Sequence, residues 1–351
     1  MTSQFMTTVV QHESGFRAWH YNHHVMGSTS ILLDTGSAEL RAVLDADQIS
    51  MVLELHWDGS DLLNIRSWHV ATGEQDQRRV RSALLSILDI VFSTHQELRA
   101  IIVNHEIDRL MDGAMLRGRI LTRQTFYQWP ELWLAAGVAY PRPVEWVMSE
   151  HASHPLRPPQ PDGEFYRRYV PTLNKVLSFK TVDVTRDLDR FHDWMNHPRI
   201  APAWELGLPK PELEKYLLER QSDPHIFSVF GYFDDEPFGY FELYWTPEDR
   251  LGPYYQAQDF DRGIHLLVGN PAYLGAQYFA AWFTGLTHFL FLDDPRTMNV
   301  MGEPRADNKS ILKHLQTVPS FQVVKEFDFP HKRAALAECT RARFFDLVKL
   351  P

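Results

Sequence analysis

The residues best placed for chemistry lie between Gly263 and Leu290, in GIHLLVGNPAYLGAQYFAAWFTGLTHFL. The first half is an apolar run of strand length; the second has the length and composition of a helix. Gly269 and Gly275 bracket the joint between them, and Pro271 stops the strand from continuing. A helix starting near Gly275 aims the free amides of Gly275, Ala276, Gln277 and Tyr278 at one spot, and the positive end of the helix dipole there suits a pyrophosphate. A glycine at such a joint also serves simply to turn the chain. His265 stands near the head of the strand, a position that by itself reads as a core histidine with a satisfied hydrogen bond.

The elements that position this joint can be read on either side of it. Leu177 to Val184 predict a strand. TRDLDRFHDWMN, with Thr185 as cap, predicts a first helix, and Pro211 to Gln221 a second, acidic at its start and basic later, as the dipole prefers. HIFSVFGYF and FGYFELYW flank Asp234, Asp235, Glu236 and Pro237, which reads as a hairpin turn. After the loop TPEDRLGPYYQAQDFDR and the opening strand and helix come a strand at Met298 to Glu303 and a helix from Asp307 to Gln316. Two strands around VVKEFDF and AALAECTRARFF close the chain. The order is strand, two helices, three strands, helix, strand, helix, two strands.

Upstream, MVLELHWD and LLNIRSWHV alternate as strands, and RRVRSALLSILDIVF spaces Val80, Leu84, Leu85, Leu88 and Val91 as a helix. ELRAIIVNHEI reads as one more strand, and this half shows no phosphate loop. Proline, glycine and charge concentrate between residues 141 and 175. The domains expected are residues 1–150, mixed α/β; a surface linker, 151–174; and 175–351. The fold class is α/β with mixed sheets.

Composition bounds the functions. The chain has 351 residues, of which 44% are hydrophobic and 23% charged, the balance of an ordinary globular protein. A net charge of −10 argues against a nucleic-acid partner, because phosphate-backbone affinity comes from clustered Lys and Arg. No apolar window is long enough to span a membrane and nothing marks the chain for export. A single cysteine, Cys339, leaves no internal disulfide and no Cys-based zinc site, which fits a cytoplasmic location.

With its element order, the chain resembles the GNAT superfamily of acyl-CoA N-acyltransferases, and more closely the N6-hydroxylysine acetyltransferases of the aerobactin pathway. The resemblance is carried by PPQPDGEFYRRY, LSFK, WMNHPRI with the following AW, FGYFELYWTPEDRLG, FDRGIHLLVG, GLTHFLFLDDPRT, EPRADN and KEFDFPHKR, in order over roughly residues 158 to 335, and more loosely by FYQWPELWL. It implies acetyl-CoA as co-substrate, without a metal, and transfer of the acetyl group to an N-hydroxylated side-chain amine in siderophore biosynthesis. The chain from Gly269 through Leu274, Gly275, Ala276, Gln277 and Tyr278 would hold the pyrophosphate. The resemblance places His265 and Glu303 at the reacting centre, Asp307 as a second acidic candidate, and Asn308 beside the thioester. It also implies that the N-terminal half is a degenerate second copy of the acyltransferase core.

The expected chemistry needs little deprotonation, since the oxygen of a hydroxylamine withdraws electron density and leaves its nitrogen neutral. A neutral His265 would orient the N-hydroxyl group and take the released proton, and the Leu267 amide would polarise the thioester carbonyl. Arg262 would pair with the substrate carboxylate, Glu242 would face its amino group, and Trp194, Trp204, Tyr244 and Trp245 would wall its aliphatic chain. Tyr254 and Tyr255 would form a lid. Two departures from the family pattern stand out: Ala272 and Gln277 occupy the ends of the phosphate loop, and Leu315 stands where many members carry a tyrosine acid, which leaves solvent or His314 to protonate the thiolate. Hydroxyornithine or hydroxycadaverine as acceptor, a longer acyl-CoA, and a non-catalytic CoA-binding role remain alternatives; the oligomeric state is not readable.

Overall fold

The computed structural model describes residues 16–23, 27–34, 39–46, 49–72, 77–111, 116–135, 143–149 and 152–350. They form two compact units. The first comprises the described residues up to Trp133 with Tyr169–Val176 and the C-terminal residues from Lys349; the second comprises Leu134–Arg168 and Leu177–Val348.

The first unit is built on a seven-stranded sheet in sequential order: β1 (Phe16–His23), β2 (Gly27–Asp34), β3 (Glu39–Ala46), β4 (Ile49–Trp57), β5 (Leu62–Thr72), β6 (Ala100–Ile102) and β7 (Ile120–Thr122). Strict alternation in β4 buries Met51, Leu53 and Leu55 while Glu54 faces out, the pattern of a sheet with one face on a core. The helix α1 (Gln77–Thr94) connects β5 to β6, which run parallel; every other pairing in the sheet is antiparallel. The strand expected over ELRAIIVNHEI ends at Ile102. Asn104 then accepts the amides of Glu106 and Ile107 and starts α2 (His105–Leu110), because a side chain that caps the backbone competes with strand pairing. A one-turn helix, α3 (Arg123–Phe126), follows β7. Sequence patterning did not assign β1 to β3 or β7.

The stretch expected to be a plain linker is structured. It carries the hairpin of β8 (Trp146–Met148) and β9 (Ser153–Pro155), then β10 (Glu164–Val170), an edge strand whose Phe165 and Tyr166 are buried. No proline falls between Pro161 and Pro171, so nothing in EFYRRYV prevents pairing.

The second unit continues with β11 (Lys175–Thr181), α4 (Val184–Met195), α5 (Ala201–Trp204), α6 (Lys210–Ser222), β12 (Ile226–Phe233), β13 (Glu236–Trp245), β14 (Arg262–Val268), α7 (Ala276–Asp293), β15 (Asn299–Gly302), α8 (Lys309–Leu315), β16 (Gln322–Asp328), β17 (Arg333–Thr340) and α9 (Arg341–Leu347). The sheet order is β10-β11-β12-β13-β14-β15-β17-β16. Asp183, not Thr185, caps α4 by accepting the Arg186 amide. The β12–β13 turn is two residues, Asp234 and Asp235, both with positive φ, so Glu236 and Pro237 already belong to the strand. AALAECT is the last strand; RARFF opens α9 under a Thr340 cap.

Helices cover both faces of this sheet. Phe191, Met195, Leu213 and Leu217 from α4 and α6 pack with Phe230, Tyr240 and Leu267 on one face. On the other, Trp282 of α7 meets Phe241 with ring centroids 5.1 Å apart, and Phe289 meets Phe165 at 4.3 Å. The decisive feature lies between. β14 pairs with β13 along its whole length, but with β15 only at Arg262↔Val300 and Gly263↔Met301. Beyond Gly263 the two parallel strands part and leave a notch.

Candidate active site

His265 sits just past the parting point, directly opposite Glu242 on β13. Its Nδ1 lies 3.0 Å from Glu242 Oε2 and its Nε2 3.2 Å from Glu303 Oε1. Both carboxylates are buried. The chain places Glu303 there because β15 ends at Gly302, one residue earlier. Tyr244 donates to Glu303 Oε2 at 2.8 Å, and its ring centroid lies 4.7 Å from that of the imidazole. A Cβ on Gly263 would overlap the Tyr244 ring, so only glycine lets this tyrosine cross β14. Trp204 stands edge-on to the imidazole at 6.5 Å. Glu242 also accepts hydrogen bonds from Tyr216 of α6 and, at 2.9 Å, from Tyr240, with Arg220 3.8 Å away.

These neighbours decide the charge of the histidine. Burial alone disfavours a charged ring, but the Glu303 and Glu242 carboxylates outweigh it and push the pKa of His265 up to about 9. Burial likewise favours protonated carboxyls. The imidazolium nevertheless holds Glu242 below its usual value and, with Lys332 and Tyr244, holds Glu303 well below the carboxylate range. The resting site therefore carries a histidine cation between two carboxylates, not the neutral histidine expected from the sequence.

The strand-to-helix joint starts its helix at the position expected from the sequence. Gly275, at φ +120°, opens α7 with no side-chain cap, and the first helical bond runs from the Phe279 amide to Gly275 O at 3.0 Å. The amides of Ala276, Gln277 and Tyr278 thus point out of the helix end, and Leu274 and Gly275 beside them are exposed. Glu236 holds the approach: Asn270 Nδ2 donates to it at 3.0 Å and the Tyr273 hydroxyl at 2.6 Å. Trp194 packs on Gly269, where a Cβ would collide with its ring.

Other expected site residues lie elsewhere. Arg262 is buried on the α7 face, paired with Asp293 at 2.9 Å and stacked 3.9 Å over Trp245, so it is unavailable to a carboxylate in the notch. Trp245 is held on its other side by Arg157, and Trp194 belongs to the helix-face core; neither walls the site. Glu242 faces the histidine and not a substrate amine. Asp307 is exposed and paired with Arg305 at 2.9 Å, while Asn308 caps α8 through the Ile311 amide. The Gly269 amide bonds to Phe238 O, and alternation from that pair puts the Leu267 amide in the β13–β14 ladder. The amides of Leu266 and Val268 turn to the notch instead. Tyr254 packs on Phe327 and Phe329, and the Tyr255 hydroxyl bonds to Thr246 and Asp261, so neither forms a lid.

Sequence reasoning missed Tyr216 and Tyr240 beside Glu242, and Arg250 and Lys332 beside Glu303. Arg250 Nη2 is 3.4 Å from Glu303 Oε1 and 3.4 Å from His265 Nε2; Lys332 Nζ donates to Glu303 O at 2.7 Å. Their only signal was membership in TPEDRLG and FPHKR.

Comparison with known proteins places the chain in a family. Residues 183–329 match the acetyltransferase (GNAT) domain family. An N(6)-hydroxylysine O-acetyltransferase of Escherichia coli is 39% identical over 275 residues, covering 76% of this chain and 86% of its own. The chain belongs to the GNAT acetyltransferase family. This acyltransferase is also 43% identical over 205 residues to an N(5)-hydroxyornithine:cis-anhydromevalonyl coenzyme A-N(5)-transacylase of Beauveria bassiana, covering 57% of this chain and 45% of that one. A hydroxyornithine transacylase of Ajellomyces capsulatus is 41% identical over 202 residues, covering 56% and 46%. No helix among the described residues is long and apolar enough to cross a membrane.

Proposed function

We propose that this acyltransferase acetylates the N-hydroxylated side-chain amine of lysine, using acetyl-CoA, to form a hydroxamate for siderophore assembly of the aerobactin type. The observation that carries the reading is the Glu242–His265–Glu303 row at the mouth of the parted strands, within a chain similar over most of its length to a hydroxylysine acetyltransferase. The pyrophosphate of the carrier would rest on the Ala276, Gln277 and Tyr278 amides, and its thioester would lie in the notch with the carbonyl facing the Leu266 or Val268 amide.

A hydroxylamine nitrogen reaches the thioester already unprotonated, so positioning supplies much of the rate. Once it attacks, the nitrogen becomes strongly acidic, and a carboxylate held at low pKa suffices to take its proton. Glu303 fills that role. The His265 imidazolium, with a pKa of about 9, lies in the range of an ordinary thiol and can protonate the departing thiolate. The Glu303 proton then returns to His265 and restores the site. This relay supplies the acid that Leu315 cannot, and Glu242, braced by Tyr216 and Tyr240, keeps the ring oriented. The N-terminal unit reads as a degenerate acyltransferase core with no reaction of its own.

The test follows CoA thiol release from acetyl-CoA with lysine, N6-hydroxylysine, N5-hydroxyornithine and N-hydroxycadaverine. Preference for N6-hydroxylysine is expected. Equal rates with plain lysine would overturn the reading, because the relay has no group free to take an ammonium proton first.

A further inference from the structure

Glu303 is shared by more cations than it can neutralise. His265, Arg250 and Lys332 all face it, and Lys332, 13% exposed, spends its best bond on the Glu303 main-chain oxygen. Arg250 is the outermost of the three, its side chain 50% exposed. Among the described residues its head makes two polar contacts, both 3.4 Å long, against about 2.7–2.9 Å for a charge-assisted bond, and one of them is to another cation. The guanidinium also lies 5.8 Å from the Phe329 ring.

The backbone under Arg250 is fixed with unusual care. Glu248 takes two 2.5 Å bonds from buried Arg157; Asp249 accepts the Leu251 amide at 2.9 Å and faces His225 at 3.2 Å; Leu251 is buried. Thr246 and Asp261 are tied together through Tyr255 at the loop's base. A merely solvated arginine needs no such mounting. Here its neighbours in sequence are anchored inward and one guanidinium is left half-exposed at the notch, with an ammonium behind it and only a long share of the Glu303 carboxylate.

We propose that Arg250, seconded by Lys332, receives the carboxylate of an amino-acid acceptor and so selects hydroxylated amino acids over hydroxylated diamines of the same length. This rests on the acceptor class given above and assigns the role that buried Arg262 cannot fill. An extended lysine side chain sets its carboxylate about 7 Å from the reacting nitrogen. A half-exposed arginine gives up its long contact with Glu303 and meets that carboxylate with its two-pronged donor face.

The experiment compares kcat/KM for N6-hydroxylysine and N-hydroxycadaverine in the wild type, Arg250→Ala and Arg250→Lys, with acetyl-CoA binding by calorimetry as a check on folding. Arg250→Ala should lose about thirtyfold to a hundredfold on hydroxylysine, mainly through KM, and less than about threefold on hydroxycadaverine, with Arg250→Lys in between. Parallel losses on both amines, or no loss on either, would overturn the inference alone. Absence of wild-type turnover with both amines would overturn the acceptor class and the inference with it.

Discussion

The two units contain the same crossover, a strand, a long helix and a parallel strand, and use it differently. β5, α1 and β6 in the first answer to β14, α7 and β15 in the second. Aligned on the parallel pairs Leu62↔Ala100 and Arg262↔Val300, His265 falls on Ile65, Glu242 on Leu55 and Glu303 on Val103. Leu55 faces Ile65 as Glu242 faces His265, and all three apolar residues are buried. The parallel pairing also runs three residues in the first unit and two in the second, so the strands there stay together longer. One crossover is closed with hydrocarbon; the other is held open around three charges. Burying charge is costly unless each is paired, and the second unit meets that condition with reciprocal partners. The difference teaches that one crossover can be packed shut with apolar side chains or opened around paired charges, with the length of the parallel pairing changing alongside.

The comparison can be broken most directly at His265. His265→Ala should lower turnover about a hundredfold while acetyl-CoA binding, measured by calorimetry, stays within about threefold, since the cradle lies at the helix start. Retained turnover in a folded variant would remove the charged row from the mechanism. Glu303→Gln should cost somewhat less, about thirtyfold, by leaving the nitrogen's proton to solvent.

A sharper test uses pH. If the imidazolium is the acid, kcat falls as pH rises through about 9. Glu242→Gln removes one of the two carboxylates that raise this pKa, so the alkaline limb should move to lower pH and kcat should drop about tenfold. A rate that climbs toward pH 9 would restore the neutral base suggested by the sequence. Stability carries the same sign. The folded pKa lies above the ordinary 6.5, so the stabilisation is fully present below 6.5 and disappears as pH rises through about 9. The difference in melting temperature between wild type and His265→Gln should shrink across that window. His225, also raised to about 9 against its burial by Asp223 and Asp249, titrates in both proteins and cancels.

The smallest effect belongs to the apolar crossover. Ile65→Val should lower stability by about 1 kcal/mol through lost core packing and leave kcat within about twofold, read by thermal unfolding and CoA release. A large loss of turnover would mean that the first unit shares in the reaction.

Much of the second unit was legible because its signals are local. Apolar runs, the Asp234–Asp235 turn and the Gly269–Gly275 joint each specify their element within a few residues. Parity was legible too: Arg262 and His265 are three apart on a strand and must face opposite ways, which already separates them. The Leu267 amide could not be assigned without knowing which residue of β13 it opposes. β1 to β3 escaped notice because their alternation is weak, and β10 because prolines precede it.

By itself the sequence determined most of the order of elements from Lys175 onward, the family, and the strand-to-helix joint that follows His265, since each rests on residues close together in the chain. Tertiary structure decided that His265 is a cation, that Arg262 is walled off and that Arg250 reaches the notch with only a long contact to Glu303. A pKa and a salt bridge depend on charges a few ångströms away in space, and here those charges come from positions 15 to 67 residues distant in sequence.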